Sequence, residues 1–306
     1  MDTLDTGIRL KAFQFLEQQC KLHGDVLPRK VLADGFEAGG HQIHLIGPEG
    51  IFKPAILREI PISITTVPIV EGRPRPYEDE LSDEGVIRYR YRGTNPNHPD
   101  NVGLRLAMER RIPLIYFFGI RPSRYMPVWP VYIVGDDPRS LTFTVQVGDK
   151  RNILASVTGR EREEPIAARA YRTITVQHRL HQQSFRDRVI EAYRQRCAVC
   201  RLHHTELLEA AHILPDGHPK GEPWVSNGLS LCKLHHGAFD SYILGVRPDL
   251  VIEIRADVLD ESDGPMLMHG LQECHNARLA VVPIANRLKP NKEFLEERSQ
   301  LFRTVE

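Results

Sequence analysis

Two pairs of soft metal ligands lie close together in the second half of the chain: Cys197-Ala198-Val199-Cys200 and Cys232-Lys233-Leu234-His235, each with two residues between its donors. Three thiols and an imidazole in two tight pairs suit a closed tetrahedral site, the arrangement in which Zn2+ acts as a structural staple. A single Cys-x-x-Cys would leave a redox pair as a rival reading. The second pair, at the same spacing, favours the metal. The remaining cysteines, Cys20 and Cys274, stand apart and read as structural thiols.

Among these ligands lie His212, in Glu209-Ala210-Ala211-His212, then Asn227 fifteen residues later and His236 nine residues after that. Phosphodiester hydrolysis needs an activated water, a base of suitable pKa and a cation to neutralise phosphate charge, and histidine suits the base role near neutral pH. The segment 185–246 resembles the HNH nucleases, whose ββα-metal fold arranges a His, an Asn and a His around one divalent cation. The resemblance implies that His212 is the general base and that Asn227 orients this histidine or its loop. It makes His236 a ligand of a catalytic Mg2+ or similar ion. Asp240, four residues beyond His236, shares its helical face and is expected to grip the same ion. The family often carries Asp or His just before the catalytic His, whereas this chain has Ala211. Asp240 is the best substitute for that ligand, with Glu209 second. His203, His204 and His218 read as surface loop residues.

A second set of residues precedes this one. Tyr77-Glu78-Asp79-Glu80, Gly85, Tyr89-Arg90-Tyr91-Arg92-Gly93 and Asn101-Val102-Gly103-Leu104 together resemble the SRA domain, a PUA-like β-barrel that flips a modified cytosine out of duplex DNA. The resemblance implies that Tyr77 and Tyr91 sandwich the flipped base and that Asp79, or else Glu80, bonds its Watson–Crick edge. Stacking and hydrogen bonds together would offset an unstacking cost of about a few kcal/mol. Arg88, Arg90, Arg92, Arg105, Arg110, Arg111, Arg121 and Arg124 surround the motif. Residues 101–200 hold 17 Lys and Arg against 9 Asp and Glu, although the whole chain has 40 of each. A basic centre of this kind suits a polyanion.

These residues need elements to position them. Apolar spacing predicts a helix over 8–22 and another over 101–110. Short β-branched runs predict strands over 42–46, 51–56, 62–70, 86–91, 113–118, 128–134 and 141–147. Residues 166–196, poor in Gly and Pro, read as helical, with Ser184 as an N-cap for the apolar-periodic stretch that follows it. Strands over 243–254 and a helix over 294–302 close the chain. The expected fold class is α+β: an N-terminal SRA/PUA-like β-barrel with flanking helices, and a C-terminal zinc-containing ββα-metal HNH domain. The expected domains are 1–158 for the reader, 159–184 for a helical connector and 185–306 for the nuclease with a C-terminal extension.

At 306 residues and 41% hydrophobic the chain can bury cores without disulfides, which excludes a disordered or fibrous plan. Its longest apolar stretches, such as 112–120, are far short of the roughly 20 residues of a membrane span. The start, Met1-Asp2-Thr3-Leu4-Asp5, lacks the basic then apolar order of a signal peptide, so the expectation is a cytoplasmic protein. Its expected function is a modification-dependent endonuclease of double-stranded DNA that carries methylated or hydroxymethylated cytosine. One nuclease site cuts one strand, so a double-strand break needs a homodimer or two visits. The alternatives are an HNH nuclease without modification sensing and a non-catalytic, zinc-stapled DNA-binding protein.

Overall fold

Helix α1, Thr3–His23, buries Ile8, Arg9, Ala12, Phe13 and Leu16 at helical spacing, as the periodicity of residues 8–22 predicts. The computed structural model describes residues 3–68, 86–150, 165–262 and 264–305, and its contacts divide at Leu180/His181 into two units. Among the described residues no helix is long and apolar enough to cross a membrane.

The first unit continues with β1 (Leu27–Pro28), α2 (Arg29–Asp34), β2 (Phe36–Ala38), β3 (His41–Ile43), β4 (Ile51–Phe52) and β5 (Ser63–Thr65). Then come β6 (Ile87–Arg90), α3 (Pro99–Glu109), β7 (Leu114–Arg121), β8 (Arg124–Asp137) and β9 (Thr142–Val147). One sheet runs β4-β5-β7-β8-β9-β6, with β1 also paired to β8. All its pairs are antiparallel except β5 with β7. A closed barrel needs hydrogen bonds between its two edge strands, and none joins β4 to β6 among the described residues. The expected barrel is therefore a partial, open one.

Central strand β7 is buried on both faces, which explains its unbroken apolar run. Tyr116, Phe118 and Ile120 pack in a core with Ile87, Tyr89, Phe143, Val145 and α3 residues Leu104 and Ala107. On the opposite face Ile115, Phe117 and Trp129 pack with Ile8, Ala12, Phe13 and Leu16 of α1. Arg9 is fully buried among them, and three backbone carbonyls accept from its guanidinium: Pro61 and Pro113 at 3.0 Å and Ile60 at 3.3 Å. Asp5 accepts from its Nε at 2.6 Å, so the buried charge is both paired and hydrogen-bonded.

Helix α4, Ile166–Ala192, crosses the boundary between the units. Val176 and Leu180 join the first core, and Phe185, Val189 and Ile190 join the second. Ser184 lies inside this helix, not at its start, because the residues before it are themselves good helix formers and leave no non-helical residue to act as a cap. The second unit adds β10 (Leu208–His212), β11 (Gly228–Cys232), α5 (Lys233–Asp240), β12 (Leu244–Val246), β13 (Ile252–Ile254), α6 (Ala256–Leu259), α7 (Pro265–Gly270) and α8 (Lys292–Thr304). Strands β10 and β11 pair antiparallel from Leu208↔Cys232 to His212↔Gly228, and α5 follows β11 without a loop. This is a ββα unit.

Candidate active site and metal centre

The turn after Cys197 brings the first ligand pair together. Leu202 O accepts from Cys197 N at 3.0 Å, Cys197 O accepts from Arg201 N at 3.1 Å, and Arg201 takes a positive φ of 62° to close the turn. The second pair spans the junction of β11 and α5. All four donor atoms of Cys197, Cys200, Cys232 and His235 lie within 4.8 Å of one another. The Nδ1 atom of His235 lies 3.0 Å from Cys232 Sγ and 3.5 Å from Cys197 Sγ. Its Nε2–H donates to Gly270 O at 2.8 Å, which fixes the tautomer and aims Nδ1 at the thiols. Hydrogen bonds from the Cys197 and Cys200 thiols push the Cys232 thiol far below the ordinary range, toward thiolate. Soft donors, tetrahedral number and an anchored imidazole fit a zinc-type Cys3His centre.

His212 ends β10 and stacks on Phe185 of α4, with ring centroids 4.0 Å apart and planes 17° from parallel. The close approach depends on Gly228, opposite His212 in the sheet. A Cβ at Gly228 would come within 2.5 Å of Val189 Cγ2 and 2.9 Å of Phe185 Cζ. Burial lowers the pKa of His212 below its ordinary value of 6.5, against the opposing charges of Asp216 and Asp240. The ring is therefore neutral at pH 7. Its Nε2 is enclosed without a hydrogen-bond partner and faces Asp216 Oδ1 at 3.7 Å.

Asn227 is fully buried and clamps the chain that leaves His212. Its Oδ1 accepts from Leu214 N at 2.9 Å, and its Nδ2 donates to Leu214 O at 3.0 Å and Glu222 O at 3.1 Å. Its carbonyl accepts from Ile213 N at 2.9 Å. Three of these four hydrogen bonds fix the backbone directly after the histidine, at Ile213 and Leu214.

Helix α5 divides its faces between two tasks. His235, Ala238 and Phe239 turn inward, while His236 and Asp240, one turn apart, share another face. Glu209 Oε2 lies 2.6 Å from His236 Nδ1, and Asp240 Oδ2 lies 3.2 Å from His236 Nε2. An imidazole held by a carboxylate at one nitrogen and facing another carboxylate across its other nitrogen suits a hard divalent cation. Among the described residues only the Cys3His cluster gathers three donors. His236 and Asp240 could supply two donors to a cation such as Mg2+, which keeps several waters in its shell.

Arg298 of α8 supports this arrangement from behind. It is buried, donating to Ile213 O at 3.2 Å and Phe239 O at 2.7 Å, with its guanidinium 3.9 Å from the centre of the Phe239 ring. Sequence reading missed Arg298 and Asp216. Arg298 lies 59 residues beyond Phe239, so no local pattern links them, and Asp216 lies in a loop where a four-residue spacing carries no shared face.

The other expected site residues fare differently. Tyr77, Asp79 and Glu80 lie outside the described residues. Tyr91 is a correction. It is 5% exposed, its ring stacks on Phe143 at 4.5 Å and its hydroxyl donates to Asp136, so the ring offers no open face to a base. The strand alternation that buries Ile87 and Tyr89 also carries Tyr91 inward. His203 and His204 are exposed, whereas His218 Nε2 lies 2.8 Å from Glu297 Oε1.

Residues 197–247 match a family model described as HNH endonuclease. The matched segment holds both zinc pairs, His212, Asn227, His236 and Asp240. A solved structure, a modification-dependent TagI restriction endonuclease, is similar at 16% identity over 79% of this chain and 82% of its own, with a TM-score of 0.30. No curated protein matches the chain.

Proposed function

Residues 197–247 form an HNH endonuclease domain, and from that premise we propose a metal-dependent hydrolase of DNA phosphodiester bonds in which His212 is the general base. The carrying observation is the His212 imidazole, stacked on Phe185 and largely buried, beside the Glu209–His236–Asp240 array. With Nε2 enclosed, Nδ1 is the nitrogen that takes a proton from the attacking water. Asp216 then faces the imidazolium across Nε2 and stabilises it. Asn227 holds the loop so that His212 keeps this orientation. A divalent cation such as Mg2+, held by His236 and Asp240, would neutralise charge on the scissile phosphate and leaving oxygen. Glu209, on the far nitrogen of His236, orients that ring.

The pH dependence follows from burial. Because the native pKa of His212 lies below 6.5, the acid limb of log kcat/KM falls below pH 6.5, and the rate is on its plateau at neutrality. Asp216→Asn removes a charge that holds this pKa up, so the limb moves to still lower pH while the plateau rate drops. A pH–rate profile of the two proteins is the check, and an unchanged profile in the variant removes Asp216 from the role.

We further propose that the first unit reads modified cytosine in double-stranded DNA. Its support is the resemblance of Tyr77-Glu78-Asp79-Glu80 and the residues after it to the SRA domain. With Tyr91 committed to the core, Tyr77 is left as the aromatic partner of the base, and Asp79 as the group on its hydrogen-bonding edge. Two protomers would then cut both strands. Matched duplexes bearing cytosine, methylcytosine or hydroxymethylcytosine, digested with Mg2+ or Mn2+, test this reading. The expected result is cleavage of a modified duplex and sparing of the unmodified one. Equal cleavage of all three would make the chain a general HNH nuclease.

A further inference from the structure

The eight arginines around the first unit are not equivalent once their partners are known. Arg92 pairs with Glu49 and Asp100, Arg105 with Asp136 at 2.7 Å and Arg110 with Glu59 at 2.6 Å. Their charges are largely compensated within the protein. Arg88 and Arg90 have no such partner among the described residues, and both are exposed.

Their position follows from the pleat. Along β6 the residues alternate buried and exposed, Ile87 and Tyr89 inward and Arg88 and Arg90 outward. In the register with β9, Arg88 lies opposite Thr144 and Arg90 opposite Thr142. Thr142, Thr144 and Gln146 are the outward residues of β9, whose Phe143, Val145 and Val147 are buried. Helix α1 covers this face of the sheet over β7 and β8, through Ile115, Phe117 and Trp129, and no residue of β9 or β6 belongs to that core. The outer third of the face therefore presents two cations and a row of neutral hydrogen-bonding side chains. The carboxylate next in the row is Asp137, opposite Thr142 on β8. It is occupied, accepting from Ser140 Oγ at 2.7 Å and Arg139 N at 3.0 Å.

We propose that this face, Arg88 and Arg90 over Thr142 and Thr144, is the surface by which the first unit holds the phosphate backbone of duplex DNA. Uncompensated guanidiniums two residues apart on a strand, about 6.8 Å in rise, can each take a phosphate, and the Thr144 hydroxyl can donate to the same backbone, whereas Thr142 Oγ1 is already bonded to Ser140 Oγ at 2.6 Å. The occupant is chosen by charge: among the described residues of β6, β9 and the adjoining end of β8, the face carries two cations against one carboxylate, Asp137, which is bonded to Ser140 and Arg139 N. The proposal rests on the DNA reading of the nuclease domain and adds where the other unit touches the same substrate.

The test uses the full chain in a His212→Ala background, so that substrate survives, with a fluorescein-labelled unmodified 20-base-pair duplex titrated at several salt concentrations. Replacing both arginines with Gln should lower the slope of log K against log salt by about 1.8, since each phosphate contact contributes about 0.9. Arg88→Lys with Arg90→Lys should keep most of the slope, and Arg110→Gln, whose charge Glu59 already compensates, should leave it unchanged. An unchanged slope and affinity in the double Gln variant, with a parent that binds normally, would overturn the proposal and leave the DNA reading standing. A parent that binds no duplex would overturn both. Circular dichroism of the Gln and Lys variants confirms that the fold is intact.

Discussion

Replacing Cys200 with Ser unfolds the second unit and leaves the first one folded. Structural zinc sites of this kind contribute on the order of 10 kcal/mol of apparent folding free energy. A whole domain is stable by only about 5–15 kcal/mol, so loss of the staple is comparable with everything else that holds residues 181–305 together. The core of that unit explains the coupling: Cys197 and Cys232 are themselves buried among Phe185, Val189, Leu208, Leu231 and Phe239. Melting curves of the full chain should lose one of two transitions, and exhaustive removal of zinc from the parent should reproduce the effect. Two unchanged transitions in the Cys200→Ser protein would show that the four residues are not a structural metal site.

His212→Ala should behave in the opposite way. Removing a general base slows its reaction by about 10²–10⁴-fold, whereas the lost stack on Phe185 is worth only about 0.5–1.5 kcal/mol, too little to unfold a domain stapled by metal. Cleavage should therefore collapse while the melting curve shifts by a few degrees and DNA binding stays at the parental level. Single-turnover cleavage and equilibrium binding on one duplex separate these quantities. A variant that cuts at the parental rate would remove His212 from the chemistry.

The parts of the site that were legible in the sequence are those encoded by short spacings. The ligand pairs Cys197/Cys200 and Cys232/His235 each span one turn, and His236 and Asp240 share a helix face, so their proximity needs only local geometry. The closing helix and most strand positions were legible for the same reason, although strands such as Ser63–Thr65 are shorter than their apolar runs, because an apolar stretch can be buried without pairing. What was not legible depends on distance along the chain. Burial of Tyr91 is decided by Phe143 and Asp136, some fifty residues away, and a tyrosine on a strand reads the same whether its ring meets a ligand or a core. The open sheet is likewise a property of which edges meet, which no single strand records. Ser184 shows the converse error, in which a good capping residue sits in mid-helix because its neighbours on both sides favour the helix.

Arg298 sets how much of the chain must travel with the cutting chemistry. The family match ends at residue 247, yet the guanidinium that ties the loop after His212 to the end of the helix bearing His236 comes from the last helix of the chain. The stack behind His212 comes from Phe185, upstream of the match. A graft of the matched segment onto another scaffold would carry His212, Asn227, His236 and Asp240 and neither of the props that set their relative positions. The transplantable cassette is the whole stretch from 181 to 305. Evolutionary shuffling of this domain onto new partner domains would have to exchange that stretch as one piece.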